Sequence, residues 1–156
     1  MNGIEAKESN DLSMSHTIEE LEGMKVLLVE DNDINQMIIR DILVDMGLKV
    51  IITSNGAEAL EVVNPGFDFV LMDIQMPVMN GLMAVKIMKY REELNTVPII
   101  ALTANVMPEQ IESYYQEGFD AYCSKPIMIN ELAQTLLQMY DKYHIKQTDK
   151  STKDKA

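Results

Sequence analysis

Five residues whose side chains can take part in phosphoryl transfer follow short apolar segments of this chain. In chain order they are Glu30, Asp31, Asp73, Thr103 and Lys125. A carboxylate held at the end of a buried strand can act as a nucleophile or as a metal ligand. Taken singly, such a residue is more often a polar group where the chain leaves the core. Three acids, a hydroxyl and a lysine at one edge of a sheet would instead form a phosphoryl-transfer site.

Three carboxylates in one place need positive charge beside them. Two carboxylates about 5 Å apart repel by about 3 kcal/mol at an effective dielectric constant of about 20. Lys125 supplies one positive charge, and a divalent cation would supply the rest. All-oxygen ligation without nearby histidine or cysteine favours Mg²⁺, with the main-chain carbonyl of Gln75 as a further ligand. Asp73 could then attack phosphorus while Lys125 and Thr103 neutralise the phosphoryl oxygens, which yields an aspartyl phosphate.

The elements that would bring these residues together alternate between strand and helix. Short apolar, β-branched runs predict strands, and longer runs with apolar residues at helical spacing predict helices. The predicted strands are Lys25–Val29, Lys49–Thr53, 67–72, Val97–Thr103 and Ala121–Lys125. The predicted helices are Ile34–Met46, Ala57–Val63, Leu82–Leu94, Pro108–Gln116 and Ile129–Tyr143.

This alternation predicts an α/β fold. Middle strands that are apolar throughout are typical of a parallel sheet covered by helices on both faces. We expect a doubly wound, flavodoxin-like sandwich of five βα units, whose five-stranded parallel sheet has the order 2-1-3-4-5. In such open sheets, ligands bind outside the carboxyl ends of the strands, at the point where the strand order reverses. The five candidate residues lie at that edge.

The domain organisation follows from composition along the chain. The length of 156 residues suits one domain with tails. We predict a folded domain over 23–144, a flexible N-terminal segment or linker over 1–22 and a flexible C-terminal tail over 145–156. Both ends are polar and lack apolar periodicity.

Charge and hydropathy narrow the classes of partner. The net charge of −12 argues against direct binding of nucleic acid, which needs clustered lysine and arginine. No apolar run approaches the roughly 20 residues that span a bilayer, so we expect no membrane insertion by this chain segment. The N-terminus lacks the apolar part of a signal peptide, which favours a cytoplasmic location. That location includes the cytoplasmic part of a membrane-bound protein.

Four segments of the chain resemble the signature of the receiver domains of two-component response regulators. They are VLLVEDNDINQ (Val26–Gln36), LMDIQMPVMNG (Leu71–Gly81), ALTAN (Ala101–Asn105) and SKPI (Ser124–Ile127). Their order and spacing cover the whole predicted domain. The form EDN, together with MDIQMP, is most similar to receivers of hybrid sensor histidine kinases. The resemblance therefore suggests a domain of a hybrid kinase, although a stand-alone protein stays open.

The resemblance implies roles for the matching residues in a phosphorelay. Asp73 would take a phosphoryl group from the phosphohistidine of a histidine kinase or a histidine phosphotransfer domain. Asp31 would hold Mg²⁺ with Asp73 and the Gln75 carbonyl, and Glu30 would act through water. Lys125 would pair with the phosphoryl group. Such a domain catalyses its own phosphorylation and slow autodephosphorylation and is not a turnover enzyme in the usual sense.

The resemblance also implies a conformational switch. Thr103 would move to hydrogen-bond the phosphoryl group, and Tyr122 would rotate inward behind it. The switch would alter the face made by the fourth helix, the fifth strand and the fifth helix. The peptide bond between Lys125 and Pro126 is expected to be cis. We assign the remaining tyrosines of the last two helices to packing or to the surface: Tyr114, Tyr115, Tyr140 and Tyr143.

The first predicted helix has two apolar faces. At 100° per residue, one face should point into the core, and it comprises Ile38, Ile39, Ile42, Leu43 and Met46. Met37 and Val44 fall on the opposite side. They flank Arg40 and Asp41, and together these four residues form a candidate docking strip for a helical phosphotransfer bundle. Single exposed apolar residues are also ordinary on soluble proteins, so the strip has an alternative explanation.

Two functions of other classes stay open at this point. A haloacid-dehalogenase-like phosphatase would also use Asp73 as its nucleophile, but such enzymes carry a second aspartate where this chain has Gln75. A receiver-like interaction module that acts without phosphorylation would not need the acids, the lysine and the hydroxyl that this chain retains. His16 and His144 lie in the predicted tails and are expected to be bystanders, so the donor is another protein or another region. The sequence leaves the oligomeric state open, a homodimer included.

Overall fold

The architecture is a parallel sheet between two layers of helices. The structure, a computed structural model, describes residues 17–155 of the chain, with side chains described up to residue 143. In this part of the chain the sheet consists of β1 (Lys25–Val29), β2 (Lys49–Thr53), β3 (Phe69–Asp73), β4 (Ile99–Thr103) and β5 (Ala121–Ser124). All neighbouring strands are parallel, and the order β2-β1-β3-β4-β5 confirms the predicted fold class.

Five α-helices connect and follow the strands in the described residues. They are α1 (Asp33–Asp45), α2 (Gly56–Val62), α3 (Gly81–Tyr90), α4 (Pro108–Glu117) and α5 (Ile129–Lys155), with short 3₁₀ turns at Ile18–Leu21 and Glu92–Leu94. The side chains of Asn32, Asn55 and Asn80 cap the first three helices by accepting a hydrogen bond from a backbone N–H three residues later. Pro108 opens α4, where its missing N–H costs nothing.

The core is divided by the sheet into two apolar clusters. Successive strand residues point to opposite faces, so Leu27 of β1 lies in one cluster and Leu28 in the other. The first cluster packs α2, α3 and α4 against the sheet, and the second packs α1 and α5. Because both faces are covered, the interior residues of the strands are apolar, and polar residues such as Lys25, Asp73 and Thr103 lie at the strand ends.

Structural elements are also formed outside the predicted domain limits of residues 23 and 144. Leu21 lies within the segment predicted to be flexible, yet it has no exposed surface and packs in the cluster that contains α5. Helix α5 continues beyond the predicted end at Tyr143 to Lys155. No proline or glycine occurs between these two residues to end the helix. Residues 1–16 and the histidine at position 16 lie outside the described part of the chain.

Two local predictions need correction. The predicted helix Leu82–Leu94 ends at Tyr90, because Arg91 adopts an extended backbone before the short 3₁₀ turn. Ile38 is predicted to lie on the core face of α1, but half of its surface is exposed. The side of α1 that faces the core is centred on Ile39 and Leu43, which are buried. Ile38 lies 100° away from Ile39 around the helix and is therefore turned away from the core.

Two further features concern the backbone and the membrane. The Lys125–Pro126 peptide bond is cis, as the resemblance implies. Within residues 17–155, no helix combines the length and the apolar character that crossing a bilayer requires.

Candidate functional site

Three carboxylates converge at the carboxyl ends of β1 and β3. The side chains of Glu30, Asp31 and Asp73 each place an oxygen within 4.8 Å of the others. They meet because β1 and β3 are neighbours in the sheet and both end at the same edge. Glu30 is fully buried, Asp73 is almost buried and Asp31 is exposed. An all-oxygen set of this kind fits a hard divalent cation.

Lys125 is the positive charge of the site. Its ammonium lies 2.9 Å from Oε1 of Glu30 and 3.2 Å from Oδ2 of Asp73. Desolvation lowers the pKa of Lys125, but the hydrogen bond to Glu30 and the charge of Asp73 outweigh it, so that the pKa is raised overall. The lysine is therefore held in its charged form between two carboxylates.

Glu30 has both of its carboxylate oxygens engaged by the protein. Oε1 pairs with Lys125, and Oε2 accepts a hydrogen bond of 3.2 Å from the backbone N–H of Asn32. Burial raises the pKa of Glu30, the hydrogen bond from Lys125 opposes this, and the nearby charge of Asp73 raises it further. The main-chain carbonyl of Glu30 accepts a short bond of 2.6 Å from the Gln36 amide. This side chain is thus fixed behind the other two acids.

Asp73 faces an open cleft of about 860 Å³ at the edge of the sheet. Its Oδ1 accepts a hydrogen bond of 3.3 Å from the backbone N–H of Gln75. The following loop turns back at Gly81, whose N–H donates to the carbonyl of Ile74 over 2.8 Å. A Cβ at Gly81 would collide with the backbone of Asp73, so the loop needs glycine here. Asn80 and Asn105 also line the cleft.

Thr103 ends β4 and brings a hydroxyl to the same cleft. Its Oγ1 lies 3.0 Å from the hydroxyl of Tyr114 and accepts a bond of 3.0 Å from the N–H of Asn105. From the sequence, Tyr114 is predicted only to pack or to lie at the surface, and its bond to Thr103 is not predicted. The spacing of Ile111 and Tyr114 on the helix indicates that both side chains face the sheet. A tyrosine hydroxyl that is buried there requires a polar partner, and this requirement could have pointed to the bond.

Tyr122 lies in β5, opposite Ala101 of β4. It is half-buried and packs edge-to-face against Tyr115, with the ring centroids 6.5 Å apart and the planes at 78°. It sits one strand away from Thr103, next to the face formed by α4, β5 and α5. Its role in the predicted switch stays a prediction.

The candidate docking strip on α1 is exposed. Met37 and Val44 expose 55% and 53% of their surface, and Arg40 pairs with Asp41 at 3.5 Å on the same outer side. Ile34 and Ile38, which the strip did not include, are exposed to a similar extent. Ile38 also lines a smaller cleft of about 410 Å³ with Lys125, Pro126 and Ile127. An apolar surface therefore runs from α1 to the residues beside the site.

The sequence profile described as response regulator receiver domain matches residues 26–137 of this chain. Histidine kinase 5 of Arabidopsis thaliana is 34% identical over 148 residues, which cover 78% of this chain and 16% of that protein. The polar-differentiation response regulator DivK of Brucella ovis is 40% identical over 112 residues, covering 71% of this chain and 91% of DivK. The chain thus spans a small part of one relative and nearly all of the other.

Two solved structures extend the comparison. The receiver domain of the sensor histidine kinase PA1611 from Pseudomonas aeruginosa, with a magnesium ion coordinated in its active site cleft, matches with a TM-score of 0.67. It is 35% identical, and the match covers 78% of this chain and 97% of that one. The receiver domain of Ssk1 from Saccharomyces cerevisiae, in complex with the histidine phosphotransfer protein Ypd1, matches with a TM-score of 0.69 and 27% identity. That match covers 81% of this chain and 92% of the other.

Proposed function

Because this chain belongs to the response regulator receiver family, we propose that Asp73 accepts a phosphoryl group from a phosphohistidine of a partner protein. The observation that carries the proposal is the ammonium of Lys125, which lies 3.2 Å from the Asp73 carboxylate and 2.9 Å from that of Glu30. In this position it can stay paired with the negative group after Asp73 has been phosphorylated.

Mg²⁺ is the proposed cofactor. Both oxygens of Glu30 already bond to Lys125 and to the N–H of Asn32, which leaves Asp31 and Asp73 as direct ligands. The main-chain carbonyl of Gln75 would complete the protein ligands, and Glu30 would act through water. When bound, the ion offsets the negative charge of the carboxylates and of the phosphoryl oxygens. The similar receiver of PA1611, which holds magnesium in its cleft, supports this assignment.

The proposed step transfers one phosphoryl group and does not turn over a substrate. A carboxylate oxygen of Asp73 attacks phosphorus, the P–N bond to the donor imidazole breaks, and the bonding electrons leave with that imidazole. Lys125 and the hydroxyl of Thr103 then offset the charge on the phosphoryl oxygens. Slow attack by water on the phosphorus of the aspartyl phosphate breaks the bond to the carboxylate oxygen, returns the free carboxylate and releases inorganic phosphate.

We propose that Thr103 and Tyr122 convert phosphorylation into a change of surface. Thr103 stands at the end of β4, beside the cleft, and Tyr122 stands on β5 next to the exposed ring of Tyr115. Movement of Thr103 toward the phosphoryl group would let the ring of Tyr122 turn inward. The face of α4, β5 and α5 would then present a different shape to an output partner.

Receiver domains accept phosphoryl groups from histidine kinases and histidine phosphotransfer proteins, and the Ypd1–Ssk1 complex is an example. For this chain we propose docking through the strip of Met37, Arg40, Asp41 and Val44, extended by Ile34 and Ile38. The strip is exposed and joins the cleft beside Lys125. An amphipathic helix of the donor could lay its apolar side on this surface.

The similarity to histidine kinase receivers supports placement in a hybrid kinase, and the similarity to DivK supports a protein of about this size. We propose the hybrid kinase and a cytoplasmic site of action, with no direct contact to nucleic acid because of the net charge of −12. Homodimerisation through the face of α4, β5 and α5 is compatible with either form.

The proposal is tested by the mass of the intact protein after incubation with acetyl phosphate and Mg²⁺. We expect a gain of one phosphoryl group that requires Mg²⁺ and is absent from Asp73→Asn, whose side chain keeps its size but loses the nucleophilic charge. A gain that survives this substitution would place the acceptor elsewhere. Release of inorganic phosphate from a phosphomonoester would support the phosphatase alternative instead.

A further inference from the structure

Thr103, Tyr114 and Asn105 form a closed ring of hydrogen bonds at the end of β4. The N–H of Asn105 donates to Oγ1 of Thr103 over 3.0 Å, and this oxygen lies 3.0 Å from the hydroxyl of Tyr114. The Tyr114 hydroxyl lies 3.0 Å from the main-chain carbonyl of Asn105. Only 3% of Tyr114 and 5% of Thr103 are exposed, so little water competes for these bonds.

The ring uses the only hydrogen that the Thr103 hydroxyl can donate. A threonine hydroxyl and a tyrosine hydroxyl each have one donor hydrogen. If Tyr114 donates to the Asn105 carbonyl, the hydrogen of Thr103 goes to the Tyr114 oxygen. If Tyr114 donates to Thr103 instead, the Thr103 hydrogen goes to the Asn105 carbonyl, 3.3 Å away. In both arrangements that hydrogen is inside the ring and is not available to the cleft.

The aromatic side chain of Tyr114 is held by its packing and cannot easily follow a movement of Thr103. It packs edge-to-face against Phe119, with centroids 6.5 Å apart and planes at 80°, and it belongs to the apolar cluster under α4. Its hydroxyl therefore occupies a fixed point that α4 sets. If Thr103 turned toward the cleft, the buried Tyr114 hydroxyl would lose one of its two partners, which is unfavourable.

We propose that Tyr114 is a positioning residue that competes with the phosphoryl group for the hydroxyl hydrogen of Thr103. The inference rests on the proposed function, since it assumes that Thr103 donates to a phosphoryl oxygen on Asp73. Tyr114 thereby sets the threshold for switching: its bond stabilises the unphosphorylated arrangement of Thr103 and opposes the phosphorylated one. The same bond ties the state of the site to α4.

The test compares the rate and the plateau of Asp73 phosphorylation by acetyl phosphate and Mg²⁺ in Tyr114→Phe and in the unchanged protein. Removal of the competing hydroxyl should raise the rate or the plateau by about twofold to tenfold, the range that one hydrogen bond of ordinary net strength represents. Tyr90→Phe removes a hydroxyl from an exposed ring at the end of α3 and should change neither value. Tyr114→Met, which also lacks the hydroxyl, replaces Tyr114→Phe if that variant does not fold.

The decisive comparison repeats the substitution in a Thr103→Ala background. With no threonine hydroxyl to release, Tyr114→Phe should there have no effect on phosphorylation. An equal gain in both backgrounds, or no gain in either, would overturn the inference while Asp73 phosphorylation stands. Absence of phosphorylation in the unchanged protein would overturn the proposed function and the inference with it.

Discussion

At the residue scale, three carboxylates of the same chemistry have three different environments. Glu30 is buried with both oxygens bonded, Asp73 is nearly buried with Lys125 on one side, and Asp31 is exposed. Environment therefore fits the three proposed roles: the first acid orients the lysine, the second faces the cleft as the proposed nucleophile, and the third is accessible to a hydrated cation. Composition alone would not distinguish these roles.

Val78 adopts a backbone conformation that is unfavourable for a β-branched residue. It has a φ of +68° in the loop after β3, a region that β-branched residues adopt at a cost, and 84% of its surface is exposed. Val78→Asn should therefore raise the free energy of unfolding by about 1 kcal/mol, as measured by urea denaturation. Val106→Asn, in an exposed loop position without a positive φ, should change it little. A similar gain in both variants would contradict the explanation by backbone strain.

Cys123 is a buried free thiol that we expect to be unreactive in the native state. Burial raises the pKa of Cys123 to about 11, although a hydrogen bond with Thr135 acts in the opposite direction. At pH 8 the native thiol should react with a disulfide reagent about a hundredfold more slowly than the urea-unfolded chain, because the thiolate is the reactive form and access is blocked. Comparable rates in the two states would show that the thiol is reached without unfolding.

At the element scale, helix α1 carries apolar residues both on its buried side and on its exposed side. Ile39 and Leu43 anchor it in the core, and the apolar residues Ile34, Met37 and Ile38 remain outside. The period of 3.6 residues predicted the exposure of Met37 and Val44 correctly. It failed at Ile38, because several of the consecutive positions of this helix are apolar and only contact with the sheet decides which stripe is buried.

Met37→Glu tests the use of this outer surface. A charge in the docking strip should slow phosphotransfer from a protein donor by about tenfold or more, since it would be buried without a partner on docking. Phosphorylation by acetyl phosphate should be unchanged. Met83→Glu, at an equally exposed position on α3, should leave both donors unaffected. Equal slowing with both donors would place the effect in the site rather than at the docking surface.

Asp120 joins three elements at the opposite end of the sheet. One of its oxygens accepts the N–H of Ile99 in β4 and pairs with Lys89 of α3, and the other accepts the hydroxyl of Tyr143 in α5 at 2.5 Å. The bond from α5 links the helices on the two faces of the sheet. Tyr143→Phe should lower the free energy of unfolding by about 1–3 kcal/mol at neutral pH, the range for a hydrogen bond to a charged group.

This bond should also make the free energy of unfolding depend on pH in the alkaline range. Burial, followed by the hydrogen bond to Asp120 and its charge, raises the pKa of Tyr143. A raised pKa stabilises the fold fully below the ordinary tyrosine value of about 10, and the contribution is lost as pH rises above it. Urea denaturation at increasing pH should therefore show a steeper loss of stability above about pH 10 in the unchanged protein than in Tyr143→Phe. Parallel profiles would exclude Tyr143 as the cause.

At the scale of the whole molecule, the core includes a residue that precedes the repeating pattern of strands and helices. The 3₁₀ turn Ile18–Leu21 places Leu21 under α5, where it has no exposed surface. Leu21→Ala should lower the free energy of unfolding by about 2–5 kcal/mol, as a core truncation does. Ile18→Ala, in the same turn but 41% exposed, should cost less than about 1 kcal/mol. If urea denaturation shows equally small changes in the free energy of unfolding for both variants, the predicted domain boundary at residue 23 would be supported.

Most of the fold and the main charges of the site could be predicted from sequence. The apolar runs located the strands, the alternation with helices indicated a parallel sheet, and the carboxyl ends of the strands brought Asp73 and Lys125 together. The partner of the Tyr114 hydroxyl, the side of α1 that is buried and the place of Leu21 were not predictable in the same way. Each depends on how two elements that are far apart in the chain pack together. A local sequence pattern carries no information about that packing.

The pair formed by Lys125 and Glu30 joins residues that are 95 positions apart in the chain. It has a consequence for synthesis. While a ribosome extends the chain, the three acids emerge long before the lysine that neutralises two of them. A nascent chain that ends before residue 125 has the proposed nucleophile, Asp73, but lacks this countercharge, which comes directly after the last strand. The proposed ability to receive a phosphoryl group should therefore arise only once nearly the whole domain has been translated.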